Sequence, residues 1–147
     1  MTTIHQLLKV KGHDYFTVGP YQTVYRAIEM MADLDVGSLL VMDGDELMGL
    51  ITERNYVRDI ILKGRTSTHT LVAEIMDRDV PCVEPDATVE ACLELMTNRR
   101  VRHLPVLDGG RVVGIVSIGD LVKSVIDDQR STIGQLEGYI HGERLLQ

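Results

Sequence analysis

The sequence predicts an α+β fold built from two copies of one unit, packed together about a pseudo-twofold axis. Three observations carry this prediction. Residues 17 to 61 overlay residues 82 to 126 at a constant offset of 65 with no gap. Each copy sets a helix-spaced apolar stripe before two short apolar runs, and in each a glycine turn separates those runs. A unit of this size cannot bury its apolar face alone, so the copies pack on each other and a site is expected where they meet.

The elements follow in chain order. A proline-marked turn, Gly19-Pro20 or Glu84-Pro85, ends a short extended lead-in. Thr23 and Thr88 come next as N-caps, because a threonine hydroxyl accepts from the free N–H groups of a first helical turn. Val24, Ala27, Ile28 and Met31, and in the second copy Val89, Cys92, Leu93 and Met96, recur at helical spacing and give one amphipathic helix per copy. Ser38 to Met42 and His103 to Leu107 are short and apolar enough for buried strands, ended by hairpin turns at Asp43-Gly44-Asp45 and Asp108-Gly109-Gly110. The return strands, Leu47 to Thr52 and Val112 to Ser117, carry Gly49 and Gly114, which mark close approach of another backbone or a ligand. A second helix runs from about Glu53 to Lys63 and stops at Gly64, and its counterpart starts near Ile118. The unit is therefore strand-helix-strand-strand-helix.

This divides the chain into an N-terminal arm at 1–12, repeats at 13–64 and 78–129, a connector at 65–77 and a helical tail at 130–147. Leu71, Val72, Ile75 and Met76 predict that the connector packs against the body. In the tail, Ile133, Leu136 and Ile140 keep helical spacing while Gly134, Gly138 and Gly142 weaken it, so its helix is expected to form against a partner.

Composition narrows the function. The 147 residues fit one domain, 44% apolar and 25% charged, with no run of about 18 apolar residues for a membrane. A net charge of -7 argues against nucleic acid, whose phosphates need a basic face. The first fifteen residues lack a secretory signal's order, and Cys82 and Cys92 form neither a CxxC pair nor a disulfide framework, so a cytoplasmic protein is expected. Histidines are dispersed without metal spacing, and neither a phosphate-binding glycine loop nor a nucleophile elbow is present, so no catalytic residue and no metal are expected. Against this acidic background Arg99, Arg100, Arg102 and His103 crowd one stretch, either as a solvated helix end or as an anion site.

The informative chemistry lies at two matched junctions. Thr52-Glu53-Arg54-Asn55 and Ser117-Ile118-Gly119-Asp120 each end a strand with a hydroxyl and place an amide or acid three residues later, at a helix start. Such a hydroxyl can cap the helix or bond a phosphate at its positive end, and a carboxylate there can hold two ribose hydroxyls. By itself this spacing is most often only a cap.

The pattern V-x-x-L-P-V-x-D-x-x-x-x-V-G-I-V-S-x-x-D-L, with its fainter copy in the first repeat, resembles a tandem CBS domain, or Bateman module, across residues 10 to 128. In the first copy Leu40 stands where proline is usual and Asn55 where aspartate is usual; Thr52 to Arg58 also resembles the T-E-R-D-x-x-R variant of small stand-alone bacterial members.

The resemblance implies two clefts, each for an adenosyl ligand such as AMP, ADP or ATP, or else NAD(H) or S-adenosylmethionine. In the first, Asp120 would hold ribose and Ser117 the phosphate side, beside Gly119, with adenine against Phe16, Thr17, Val18, Val36, Gly37 and Ser38. In the second, Asn55 and Thr52 would take those roles with Arg54 close by, and the base would lie near Val80, Pro81, Cys82 and Val101. Arg102 and His103 would reach phosphate, and Pro105 completes the set. Asn55 lacks the charge and one acceptor of an aspartate, which predicts a weaker or differently selective second cleft. The implied protein is a homodimeric sensor of adenylate status that alters its affinity for an unidentified partner protein. The alternative is a ligand-free interaction module acting through its dimer and tail surfaces.

Overall fold

A computed structural model of the chain describes residues 1–146, with side chains through residue 138. The first half holds α1 (Ile4–Lys11), β1 (Thr17–Val18), α2 (Val24–Leu34), β2 (Ser38–Asp43), β3 (Glu46–Thr52) and α3 (Glu53–Tyr56). After α4 (Val72–Ile75) come α5 (Val89–Arg99), β4 (His103–Asp108), β5 (Arg111–Ser117) and α6 (Ile118–Leu146). The duplicated α+β architecture is present, and the repeat extends to local detail. Thr23 and Thr88 cap α2 and α5, accepting from the Arg26 and Ala91 N–H groups. Both helices end on a left-handed residue at the matched positions Asp35 and Arg100. The β2–β3 and β4–β5 hairpins are antiparallel, and their register shifts immediately after Val41 and after Val106, which are also matched.

The copies differ where a single residue forbids a bond. In the first, β1 runs parallel to β2 and the Leu40 N–H donates to the Phe16 carbonyl at 3.1 Å. The matched residue in the second copy is Pro105, which has no N–H. The expected opening strand is reduced there to one bridge, Val83 to Val106. The helix expected from Glu53 to Lys63 also divides: α3 passes into a π turn at Val57–Ile61, where the Leu62 N–H reaches back to the Val57 carbonyl, and Gly64 at φ 66 ends it.

The N-terminal arm and the connector exchange places. Ile4, Leu7 and Leu8 of α1 join Val89, Cys92, Met96, Leu104, Val106, Val116 and Leu121 in the core of the second repeat. Val72, Ile75 and Met76 of the connector join Val24, Ala27, Met31, Leu39, Val41 and Ile51 in the core of the first. The backbone bonds match one for one. Val89 N–H donates to Thr2 and Ile4 N–H to Ala87, while Val24 N–H donates to Thr70 and Val72 N–H to Gln22. Residues 2–8 thus play for the second repeat the part that residues 70–76 play for the first, at an offset of 68. The two return-strand glycines receive these segments. A Cβ on Gly49 would collide with the Asp77 carbonyl, and one on Gly114 would press on Leu8. The connector packs as expected, except that Leu71 faces solvent.

The tail glycines do not interrupt α6, which is one continuous helix from Ile118 to Leu146. Every residue from 126 to 138 is exposed, although the Thr2 hydroxyl of the N-terminal arm donates to Asp128 Oδ2 at 2.7 Å. Ile140 lies outside the described side chains. No helix among the described residues is long and apolar enough to cross a membrane.

Candidate functional site

A cleft of about 1080 Å³ lies between the repeats. One wall is the β3–α3 junction with Thr52, Arg54, Asn55 and Arg58, and the other is the end of α5 and start of β4, from Arg99 to His103. The chain from Met76 to Val80 closes it, and Gly37 lies on its lining. Thr52, Arg54, Asn55, Val80 and Val101, expected in the second cleft, line this one together with Arg102 and His103. Gly37, expected in the first cleft, lines this one. Pro81 and Cys82 lie beyond its lining, and Pro105 is buried within β4.

The Thr52–Asn55 pair is a reciprocal cap. The Asn55 N–H donates to Thr52 Oγ1 at 3.2 Å, and Asn55 Oδ1 accepts from the Thr52 N–H at 2.8 Å and from its hydroxyl at 3.0 Å. The side chain is 6% exposed. With its oxygen committed, Asn55 has only its amide N–H donors for a ligand, where an aspartate would offer acceptors.

The other junction is built alike with a carboxylate. The Ser117 N–H donates to Asp120 Oδ2 at 2.8 Å and the Asp120 N–H to Ser117 Oγ at 3.2 Å. Lys11 Nζ, from the last turn of α1, donates to the same Asp120 oxygen at 2.6 Å. Burial alone would raise the Asp120 carboxyl, but the bonds from Lys11 and Ser117 outweigh it and hold the group below its ordinary value. His13 and Tyr15 bond to the Val113 and Val112 carbonyls of β5, which carries the lead-in to Phe16, Thr17 and Val18 alongside that strand. Val36 and Ser38 sit at the entry to β2, and Gly119 follows Ser117 in the first turn of α6.

His103 is held below the ordinary histidine value first by burial, then by Lys11 and Arg102, with Asp120 and Glu53 opposing. Between its folded value and 6.5 the unfolded chain binds the proton more readily, so stability is full above 6.5 and declines as pH falls below it. His103→Gln is expected to flatten the rise in melting temperature on going from pH 5.5 to 7.5; an unaltered slope would remove His103 as its source. Burial raises the Cys82 thiol and its S–H donates to the Val80 carbonyl at 3.5 Å, conditions that disfavour the reactive thiolate.

Sequence reasoning did not find Arg58 or Arg78 at the cleft, or Lys11 beside Asp120. Arg58 stood within the T-E-R-x-x-x-R run, and its place on the helix turn facing Arg54 was the available signal. Lys11 gave no signal, because the fold of α1 onto the second repeat brings it there.

Paired repeats, each closing its hairpin in a capped strand–helix junction, define a class, the tandem-repeat modules. The chain belongs to the CBS-domain family: the model of the CBS domain matches residues 9–61 and 72–127. It is 38% identical to the mitochondrial CBS domain-containing protein CBSX3 of Arabidopsis thaliana over 96% of this chain and 73% of that one. Among solved structures, a protein with CBS domains from Burkholderia ambifaria MC40-6, described as a signal-transduction protein, is 50% identical at a TM-score of 0.84, covering 87% of this chain and 96% of that. The hexameric CBS-CP12 protein of bloom-forming cyanobacteria is 25% identical at a TM-score of 0.74, covering 82% and 66%.

Proposed function

We propose that this module binds an adenine nucleotide between its repeats and, through the change in their relative poise, alters the affinity of a partner protein. The observation that carries the reading is the Ser117–Asp120 junction. A carboxylate kept ionised at a helix start, beside a hydroxyl, suits the two hydroxyls of a ribose with phosphate toward the helix N-terminus. The nucleotide can shift the repeats only by its difference in affinity for the two poises, so tight binding alone would not make a switch. AMP, ADP and ATP head the candidates, with NAD(H) and S-adenosylmethionine behind them. Titration calorimetry of nucleotide-stripped protein with AMP, ATP and NADH tests the reading, and absence of heat with all three would reject it. The free cysteines, one with its thiol pushed up to about 11, suit a reducing compartment such as the cytosol.

The module is further proposed to act as a homodimer. Val57 and Ile61 of the first repeat match Val122 and Ile126 of the second, and all four are exposed. A face that carries the same apolar pair twice about an internal twofold is self-complementary under a second one, as an isologous dimer requires. Ile126→Glu is expected to convert dimer to monomer in light scattering, and a dimer of unchanged stability would exclude this face. An interaction role without ligand is favoured by one observation, the exposed Ile133 and Leu136 farther along α6.

A further inference from the structure

We infer that the far half of α6 is an interaction surface for a second copy of this chain, the two α6 helices forming a short parallel coiled coil beyond the body. The inference rests on the homodimer reading above and names how the two copies are set against each other. Val122, Ile126, Gln129, Ile133 and Leu136 follow one another at steps of four, three, four and three residues, and Ile140 keeps the spacing in the sequence. This is the seam of a coiled coil, with isoleucine at each a position, 126, 133 and 140, and Val122, Gln129 and Leu136 at d. A β-branched residue at a with Leu at d favours two parallel strands. The stripe carries no charge, yet Ile133 is 54% and Leu136 58% exposed.

A separate stripe of α6 serves its own body. Leu121 is buried and Val125 packs against the core of the second repeat. The next positions on that side are Asp128, which accepts from the Thr2 hydroxyl, and Thr132. The body-facing stripe thus turns polar just past Val125, while the seam stays uncharged for about three further turns. Gly134 and Gly138 lie in this exposed stretch, and each costs helix stability that burial of the seam would offset.

The seam continues the face on which the homodimer rests. Val122 and Ile126 match Val57 and Ile61, so that face by itself allows two dimers, with α6 set against α6 or against the α3–π-turn segment of the second copy. Only α6 extends beyond it. The position matching Gln129 is Gly64, where the chain turns at φ 66. The long stripe of α6 therefore finds a like stripe only on the other α6, and with both bodies at the same end the two helices run parallel. Ile126, Ile133 and Leu136 then meet their own counterparts, and the two Gln129 amides face each other, each with donors and an acceptor for the other. In this register the e positions Lys123, Arg130 and Glu137 lie beside Ile118, Val125 and Thr132 of the second copy, so no like charges are opposed.

The test is sedimentation equilibrium of the full chain, wild type and the double variant Ile133→Glu/Leu136→Glu, together with air oxidation of Gln129→Cys. Ile133 and Leu136 belong to neither core, so the double variant keeps the body folded, which circular dichroism checks. The wild type, with Cys82 and Cys92, is the oxidation control. The double substitution is expected to raise the dimer Kd at least about a hundredfold, because two apolar layers of the seam are lost from each helix. Gln129→Cys is expected to form a disulfide between copies, since the parallel register sets residue 129 opposite itself. A dimer unchanged by the double substitution, with no disulfide at position 129, would overturn the coiled coil and leave the homodimer on the body face standing. Dissociation of the double variant without that disulfide would reject the parallel register. A wild type that sediments as a monomer would reject both readings and leave the stripe to a different protein.

Discussion

Leu8→Ala is expected to lower the stability of this module by about 2 to 5 kcal/mol, although position 8 lies outside both duplicated segments. The side chain is 1% exposed and packs against Gly114, in the same core as Ile4 and Leu7. Truncation removes the transfer free energy of the side chain and leaves a cavity against a strand whose glycine offers no atoms to fill it. Removal of residues 1–12 should have a larger effect. It would strip three buried side chains from the second core and leave the Pro85 and Ala87 carbonyls and the Val89 N–H without their present partners. An eight-residue helix is not stable in isolation, so α1 owes its structure to that core as much as the core depends on α1. Urea denaturation measures both variants. A Leu8→Ala loss under about 0.5 kcal/mol, the range of an ordinary surface change, would show that α1 does not complete the second repeat.

Asp120→Ala is expected to reduce nucleotide affinity at the Ser117–Asp120 junction by about a hundredfold or more. Two hydrogen bonds from ribose hydroxyls to a charged acceptor contribute about 1.5 to 3 kcal/mol each, and alanine supplies neither. The substitution also removes the bond to the Ser117 N–H and so weakens the start of α6 by about 1 kcal/mol, a loss the folded state should tolerate. Lys11→Met is expected to act in the opposite direction. Lys11 Nζ already occupies Asp120 Oδ2, and that pair, about a quarter to a third exposed, must be broken or shared before a ribose can use the carboxylate. Relief of a partly exposed pair should tighten binding roughly two- to fivefold. Calorimetry on the two variants decides the matter. Unchanged affinity in Asp120→Ala would sink the ribose assignment, and weaker binding in Lys11→Met would make Lys11 a ligand contact rather than a competitor.

Much of the fold was legible because it is local. Thr23 and Thr88 cap helices because their hydroxyls reach N–H groups three residues on, and Gly44 and Gly109 turn hairpins because they take positive φ without strain. Leu40 opposite Pro105 was visible as a departure, and its consequence, a parallel strand in one repeat and a lone bridge in the other, follows from one missing N–H. The duplication of residues 2–8 in residues 70–76 escaped notice because its offset is 68 rather than 65, and because its few identical or similar residues, such as Thr2 with Thr70 and Gln6 with Glu74, are weak without knowledge of what they pack on. The continuity of α6 was hidden by its glycines, whose propensity cost a long helix can absorb.

The sequence by itself determined the repeat, its turns and caps, and the hydroxyl-x-x-amide and hydroxyl-x-x-acid elements that a nucleotide would use. These depend on spacings of three or four residues and on the conformational range of single side chains. The tertiary structure alone decided which repeat each helix completes and which cations share a cleft. Lys11 meets Asp120 across 109 positions, and Arg54 and Arg58 face Arg100 and Arg102 across more than forty. Such meetings are fixed by the burial of Ile4, Leu8, Val72 and Met76 in opposite cores, and the helical spacing of these residues does not say which core each segment joins.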